Sequence, residues 1–225
     1  MHKIKHIRSF VKRHRHLPPN KQQIFDEAWK IYGLEVTPTP ISTPKIFNRN
    51  TSLVLEIGFG MGTTLLHAAP KHPEQDFIGI EVHQPGIANL FAQLKIQPLN
   101  NIRVYNADAV IVLQQCIPDT SLDKVLIFFP DPWPKKRHHK RRLIQPKFIE
   151  LLHKKLKPQG ILHIATDWED YANLTVTVLT NNPAFTALTD QEAASLLSER
   201  IPTKFEQRGK KQGHKIFDLL FVKIH

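Results

Sequence analysis

Five short apolar runs, spaced about 25 residues apart, limit what this chain can fold into. They are 53–57, 77–81, 102–108, 125–129 (with Leu122 just ahead) and 161–165. Each is short, bounded by turn residues and rich in Val, Ile, Leu and Phe, so each reads as a buried strand. Helical stretches lie between them. Residues 63–69 follow the first run and stop at Pro70, and 85–95 follow the second. After the fourth run, Phe148, Leu151, Leu152 and Leu156 share one helix face, with Lys154, Lys155 and Lys157 in the last turn, where cations suit the helix dipole. Residues 158–160 end that helix. Such alternation predicts an α/β fold of Rossmann-like type, a mostly parallel sheet with helices on both faces.

In such sheets ligands sit at the carboxyl ends of the strands. Every run here closes on an acid: Glu56, Glu81, Asp108, Asp131 and Asp167. One acid after a strand is usually a helix cap or turn residue. Five would line one rim of a chain that is otherwise basic, with 31 Lys and Arg against 20 Asp and Glu, a net charge of +11 and a pI near 9.8. Such a balance points to a polyanionic partner.

The positive charge is clustered. Lys135, Lys136, Arg137, His138, His139, Lys140, Arg141 and Arg142 run together without an acid, four residues after Asp131 and just past Pro130, Pro132, Trp133 and Pro134. This reads as a chemical centre fused to a phosphate grip, the plain alternative being a solvated loop. A second basic stretch opens the chain: no acid occurs before Asp26, and Pro18 and Pro19 interrupt any helix, so 1–25 reads as a flexible basic arm. Phe25, Trp29 and Tyr32 are expected to tether the adjoining segment to the body, and 37–44 reads as a connector. The domain layout expected is therefore an arm and connector at 1–44 and one catalytic domain at 45–225.

The lone Cys116 excludes an internal disulfide and any cysteine-built zinc site, and no metal is expected. No apolar run approaches the roughly 20 residues of a membrane span. The N-terminus lacks the apolar core of a secretory signal, although an Arg-rich, acid-poor start also suits a transit peptide. A cytoplasmic protein, monomer or homodimer, is expected.

The glycine loop narrows the cofactor. Gly58, Gly60 and Gly62 are spaced G-x-G-x-G rather than G-x-G-x-x-G, and Glu56 stands two residues before the first. A carboxylate there repels a pyrophosphate but suits a cofactor with a cationic end. S-adenosylmethionine, with its ammonium and sulfonium, fits. The glycines let the backbone approach its amino-acid part. Glu81, 19 residues past Gly62, stands where an acid accepts from both ribose hydroxyls, and Asp108 falls near the adenine edge. A methyltransferase of this kind usually closes its sheet with a C-terminal antiparallel hairpin, and 185–188 and 216–222 read as its strands, the second after a turn at 209–213.

Several runs together resemble one family, the bacterial tRNA (guanine-N7-)-methyltransferases. They are 7–11, 55–62, 79–82, 106–109, the Phe-Pro-Asp-Pro-Trp-Pro-Lys of 129–135, 166–168, and 203–209, which contains Thr203-Lys204-Phe205-Glu206. The resemblance covers nearly the whole chain, and the 129–135 and 203–206 runs are its most specific parts. It implies methyl transfer from S-adenosylmethionine to N7 of a guanosine in the variable loop of tRNA. Carried over by motif, Glu56, Glu81, Asp108 and Asp131 would touch the cofactor. Lys135, Asp167, Thr203, Lys204, Phe205 and Glu206 would serve the substrate, and Arg137, His138, His139, Lys140, Arg141 and Arg142 would contact RNA. Asp131 is the expected catalytic acid, with Asp167 second. Trp133 is expected to stack on the base or, more commonly for a tryptophan between prolines, to pack under the loop. Thr203 and Glu206, three apart, would by themselves read as a helix-capping pair. Two rivals remain: an RNA-binding protein that kept the fold without catalysis, which would bind tRNA and yield no methylated product, and a small-molecule methyltransferase or oxidoreductase, whose activity would ignore salt.

Overall fold

The computed structural model describes residues 7–11 and 16–224. In chain order it runs α1 (Pro19–Tyr32), β1 (Gly33–Leu34), α2 (Thr43–Phe47), β2 (Ser52–Ile57), α3 (Thr63–Lys71), β3 (Gln75–Ile80), α4 (Gln84–Ile96), β4 (Ile102–Tyr105) and α5 (Ala109–Gln115). It continues with β5 (Leu122–Phe128), a 3-10 helix (Lys136–Arg141), α6 (Pro146–Lys155), β6 (Leu156–Thr166), α7 (Glu169–Thr180), β7 (Phe185–Ala187), α8 (Asp190–Ser198), α9 (Lys204–Lys211) and β8 (Phe217–Lys223). The strands form one eight-stranded sheet in the order β1-β4-β3-β2-β5-β6-β8-β7. All neighbours from β1 to β6 are parallel, whereas β8 runs antiparallel to both β6 and β7. The expected closing hairpin is β7 with β8, but α8 and α9 are inserted between its strands.

Strand side chains alternate between faces, so each strand feeds two cores. Leu55, Ile78, Val125 and Leu162 pack with Val112 of α5, Leu152 of α6 and Tyr171 of α7. Val54, Phe77, Val104 and Leu126 pack on the other face with Phe25 of α1, Leu65 of α3 and Phe91 of α4. Each fully buried side chain of this kind contributes roughly 1.5–3 kcal/mol. That two-sided burial is why the runs read as continuous apolar stretches.

The tether expected of Phe25, Trp29 and Tyr32 is present, and three other details depart from the sequence reading. Phe25, Trp29 and Tyr32 tether the N-terminal region as one face of a helix: Trp29 stacks on Phe25 at 5.3 Å, and all three rings meet Phe91 of α4. Pro19 begins that helix, at the first turn, where its missing N–H costs nothing. Leu156 begins β6 and does not end α6. The connector at 37–44 gives way to α2 at Thr43 and is tied down by Ile41 N donating to Cys116 O at 2.7 Å. Of the basic arm, residues 1–6 and 12–15 lie outside the described residues.

The glycine loop after β2 has positive φ at Gly58, Gly60 and Gly62, of 75°, 57° and 77°, a backbone open to glycine and strained for other residues. Helix α4 rests its first turn directly on this loop. A Cβ on Gly86 would run into the Gly60 carbonyl oxygen, which is backbone and cannot swing aside. Gly86→Ala is therefore expected to cost about 2 kcal/mol by overpacking. The melting temperature, followed by circular dichroism, should drop by about 4–8 °C. An unchanged melt would mean that α4 slides off the loop freely.

Candidate active site

The carboxyl ends of β2, β3, β4 and β5 open on a cavity of about 410 Å³. Its walls include Gly58 and Gly60 of the glycine loop, Glu81 and His83 after β3, Ala107 and Ala109 on either side of Asp108, and Asp131 after β5. Two elements close it from outside the sheet: Ser9, Phe10 and Val11 of the N-terminal segment, and Phe205 at the start of α9.

Glu56, at the end of β2, is only 3% exposed, and its Oε2 has no hydrogen-bond partner among the described residues. Burial, offset in part by a Thr64 hydrogen bond and reinforced by the charge of Glu81, pushes its carboxyl up to about 8. A buried acid with an idle oxygen fits a site that awaits a cation. Glu81 is held differently. Its Oε2 accepts from Gly60 N at 2.8 Å, and its Oε1 accepts from Val82 N at 2.7 Å and His83 N at 2.8 Å. Oε1 is thereby filled, and Oε2 keeps acceptor capacity for a ligand hydroxyl. Burial raises this carboxyl too, against the opposing pull of those three N–H groups. Asp108 caps α5, its side chain accepting from Val110 N at 2.9 Å, so the plain capping role is real, while its two neighbours line the cavity. The residues present fit S-adenosylmethionine: a buried carboxyl with an idle oxygen, one residue before the cavity-lining Ile57, which an ammonium would ionise and pair; a glycine backbone free of side chains; and a second acid with an acceptor site to spare. No group of His, Cys, Asp and Glu able to hold a metal occurs among the described residues.

Asp131 is exposed and lines the same cavity. The turn that carries it is unusual. Phe129 and Trp133 have φ of 53° and 47°, conformations that cost bulky residues about 1–3 kcal/mol each. The surroundings hold both. Phe129 N donates to Ala165 O at 2.7 Å. The Trp133 indole N–H donates to Ser9 O at 2.9 Å, and the Arg141 guanidinium lies 3.9 Å over its ring. Trp133 therefore packs, and packs on the N-terminal segment that lines the cavity. Sequence reading missed this contribution. The available signal was Phe10 and Val11, two apolar residues inside a basic stretch.

The basic run divides in two. Lys135, Lys136, Arg137 and Lys140 are exposed. Arg142 departs from the expected RNA-contacting role: its side chain is 1% exposed, it donates to Pro132 O at 2.8 Å and to Asp170 Oδ2 at 2.6 Å, and it sits over the Tyr171 ring. It props the Asp131 turn from below. Arg141 is half-committed, reaching Arg8 O and Phe10 O at 3.3 Å each. His138 packs its ring edge against Trp133, and His139 lies 3.3 Å from Pro134 O. Partial desolvation, then the charges of Arg137, Lys135, Arg141 and Lys140, lower the His138 imidazole below its ordinary value.

The Thr203–Glu206 motif also divides. Thr203 caps α9, accepting from Glu206 N at 3.1 Å. The Glu206 carboxylate is buried and bound at 2.6 Å by both Arg200 and Lys210. Lys204 and Phe205 face outward, Phe205 at 60% exposure on the cavity rim. Asp167 holds His214 Nδ1 at 3.1 Å and lies against Gly209, whose missing side chain lets α9 approach.

A family model described as a putative methyltransferase matches residues 50–219. A tRNA (guanine-N(7)-)-methyltransferase of Nitrosococcus oceani is 49% identical over 215 residues, 96% of this chain and 90% of that protein. One from Pseudomonas syringae pv. syringae is 45% identical over 219 residues, 97% of this chain and 90% of that protein. Among solved structures, the 16S rRNA methyltransferase KamB superposes with a TM-score of 0.57 at 14% identity, covering 87% of this chain and 99% of that one. Haemonchus contortus phosphoethanolamine N-methyltransferase 2, in complex with S-adenosyl-L-methionine, gives 0.52 at 14% identity over 99% of this chain and 61% of that one. These structural likenesses are of fold alone.

The raised Glu56 carboxyl carries a stability consequence. Between its ordinary 4.5 and about 8, the folded chain holds a proton that the unfolded chain has released, so this group lowers stability as pH rises through that window. Glu56→Gln keeps the neutral shape and removes the slope. In melts without ligand, the variant should match the parent near pH 5 and exceed it by several degrees at pH 8. Parallel pH profiles would mean that Glu56 is ionised in the folded chain.

Proposed function

We propose that this chain, which belongs to the tRNA (guanine-N(7)-)-methyltransferase family and transfers a methyl group from S-adenosylmethionine to N7 of a tRNA guanosine, acts on a guanosine in the variable loop. One observation supports the site assignment above the rest. Asp131 stands on the same cavity as the glycine loop and Glu81, four residues ahead of an exposed cationic run.

In this reading Glu56 holds the cofactor's ammonium, Gly58, Gly60 and Gly62 admit its amino-acid part, Glu81 takes a ribose hydroxyl on Oε2 and Asp108 lies at the adenine edge. When bound, S-adenosylmethionine supplies an electrophilic methyl on a sulfonium. Guanine N7 offers a lone pair and has no proton to lose, so no general base is needed for the transfer. The work of the chain is placement, which is worth roughly 7–11 kcal/mol for well-oriented reactants. Asp131 accepts from the guanine N1–H and 2-amino group, which fixes the edge presented, and it stabilises the positive charge that develops on the purine. Phe205 and Lys204 serve the substrate from the rim. Asp167, Thr203 and Glu206 hold α9 so that the rim is in place.

Lys135, Lys136, Arg137 and Lys140, with Lys204, Arg208, Lys211 and Lys215, meet backbone phosphates, which give affinity and no base identity. Selection of tRNA then rests on shape and on a loop nucleotide that unstacks into the cavity. The compartment is that of the tRNA substrate, the cytoplasm. Among the described residues no helix is long and apolar enough to cross a membrane.

The test is transfer of labelled methyl to unmodified tRNA with the product nucleoside mapped. 7-Methylguanosine in the variable loop is expected, and methylation elsewhere would remove the positional assignment. Asp131→Ala should lower turnover at least 100-fold while tRNA binding and the melting temperature stay close to the parent's; near-normal turnover would end its catalytic assignment.

The divided basic run gives a second pair of outcomes. Changing Lys136, Arg137 and Lys140 to Gln should reduce the slope of log affinity against log salt by about one per lost phosphate contact, with the fold intact. Arg142→Gln should instead lower stability by about 2 kcal/mol, because it strands the Pro132 carbonyl and breaks the pair with Asp170 and the packing on Tyr171. A stable Arg142→Gln with a flattened salt slope would restore Arg142 to the grip.

A further inference from the structure

Phe128 borders two cavities. Behind it, on the sheet face that carries Val54, Phe77 and Leu126, lies a second one of about 100 Å³. It runs between α3 and the segment that ends α8 and leads into α9. None of the residues assigned to the cofactor or to tRNA lines it.

Its charge is one-sided. Lys71, Lys124 and Arg200 supply permanent cations, His67, His72 and His163 supply imidazoles, and Glu199 is the one acid among its lining residues. Three of these groups are already engaged. Arg200 binds Glu206 at 2.6 Å and Asp218 at 3.0 Å, His163 meets Asp218 at 2.8 Å, and His72 meets Glu74 at 3.3 Å. Lys124 differs. It rises from β5 between the apolar residues of this face and makes no hydrogen bond or close ion pair with any described residue. Only the more distant charge of Glu199 acts on it. Burial lowers the Lys124 ammonium below its ordinary value, and at His67 burial acts with the charges of Lys71 and His72 in the same direction. The cavity thus resists its own positive charge.

We propose that this cavity is a second ligand site, for a small organic anion: a carboxylate on a compact apolar body, its charge at Lys124 and its body on Val54, Leu126 and Phe128. Lys124 is partly buried, and an ammonium that has lost part of its water without gaining a hydrogen bond is costly; a carboxylate offsets that cost. The apolar floor selects against a bare inorganic anion, which would leave it wet, and favours a ligand that covers it. The site is also connected to the reaction centre. Arg200 lines it and binds the buried carboxylate of α9, the helix that carries Phe205 to the rim of the first cavity. Phe128 is a wall common to both.

Benzoate is the probe. Benzylamine has the same body with reversed charge, and inorganic phosphate has charge without the body. Titrations use the full chain, isotope-labelled for NMR and saturated with S-adenosylhomocysteine so that the first cavity is filled. Benzoate should bind at one site and shift His67 and His163 while leaving His83, which lines the first cavity, unmoved. Benzylamine and phosphate should each bind at least tenfold more weakly. Lys124→Met, which keeps the length of the side chain and loses its charge, should melt no lower than the parent and weaken benzoate at least tenfold. Equal benzoate affinity in Lys124→Met, equal binding of benzylamine, shifts confined to His83, or no saturable binding at tens of millimolar would each overturn the site. Phosphate binding as well as benzoate would overturn the apolar part of the assignment.

Discussion

The Glu81 carboxylate accepts from the backbone of Gly60, Val82 and His83, and the first of these belongs to a different loop from the other two. Two loops that leave neighbouring strands are therefore bound to one anion. Gly60 adopts a conformation few residues tolerate, and α4 leans on its carbonyl through Gly86. If Glu81 let go, the glycine loop would lose its anchor and α4 its seat. Charge-assisted bonds of this kind are about twice as strong as neutral ones, which is how a largely buried acid is kept in place. Glu56 beside it has only a Thr64 hydrogen bond to offset its burial, and the contrast is informative. One acid is satisfied by the protein and shapes the site; the other keeps a buried oxygen without a hydrogen-bond partner among the described residues.

The outer half of the site depends on two further ties. Trp133 and Arg141 hold residues 8–10 against the Asp131 turn, and Arg200 holds α9 through Glu206 while also reaching Asp218 on β8. Both ties bring a segment distant in sequence onto the rim of a cavity built by the parallel sheet. Both use arginine, whose planar fork satisfies two partners at once. The cost is that residues which look like surface charge are consumed in the structure.

That explains what the sequence did and did not reveal. The parallel sheet was legible because 53–57, 77–81, 125–129 and 161–165 are buried on both faces, which forces continuous apolar runs. The glycine loop and the strand-end acids were legible because their chemistry demands particular residue types at fixed offsets. Helices α5 and α7 were not. The first is short and almost wholly apolar, without a helical period, and the second is rich in Thr and Val, whose intrinsic preference is for strands. Packing against the sheet overrides both. Arg142 and Arg200 were misjudged or missed for another reason. A single sequence reports charge but not burial, and only tertiary contact separates an arginine that grips a phosphate from one that holds a carbonyl or a carboxylate.

The coexistence of an acidic cleft and a basic exterior then has a physical logic under the proposed reaction. Methyl transfer from a sulfonium to guanine N7 begins and ends with a cation in the cleft, so carboxylates near the reaction path favour the charged species throughout. The same carboxylates repel phosphate. A strand of RNA drawn in by Lys136, Arg137 and Lys140 would find its backbone attracted to the rim and excluded from the floor. A neutral base suffers no such exclusion. The two signs of charge, a few residues apart at Asp131 and Lys135, therefore sort the substrate by its parts: phosphates stay outside, and the guanine enters.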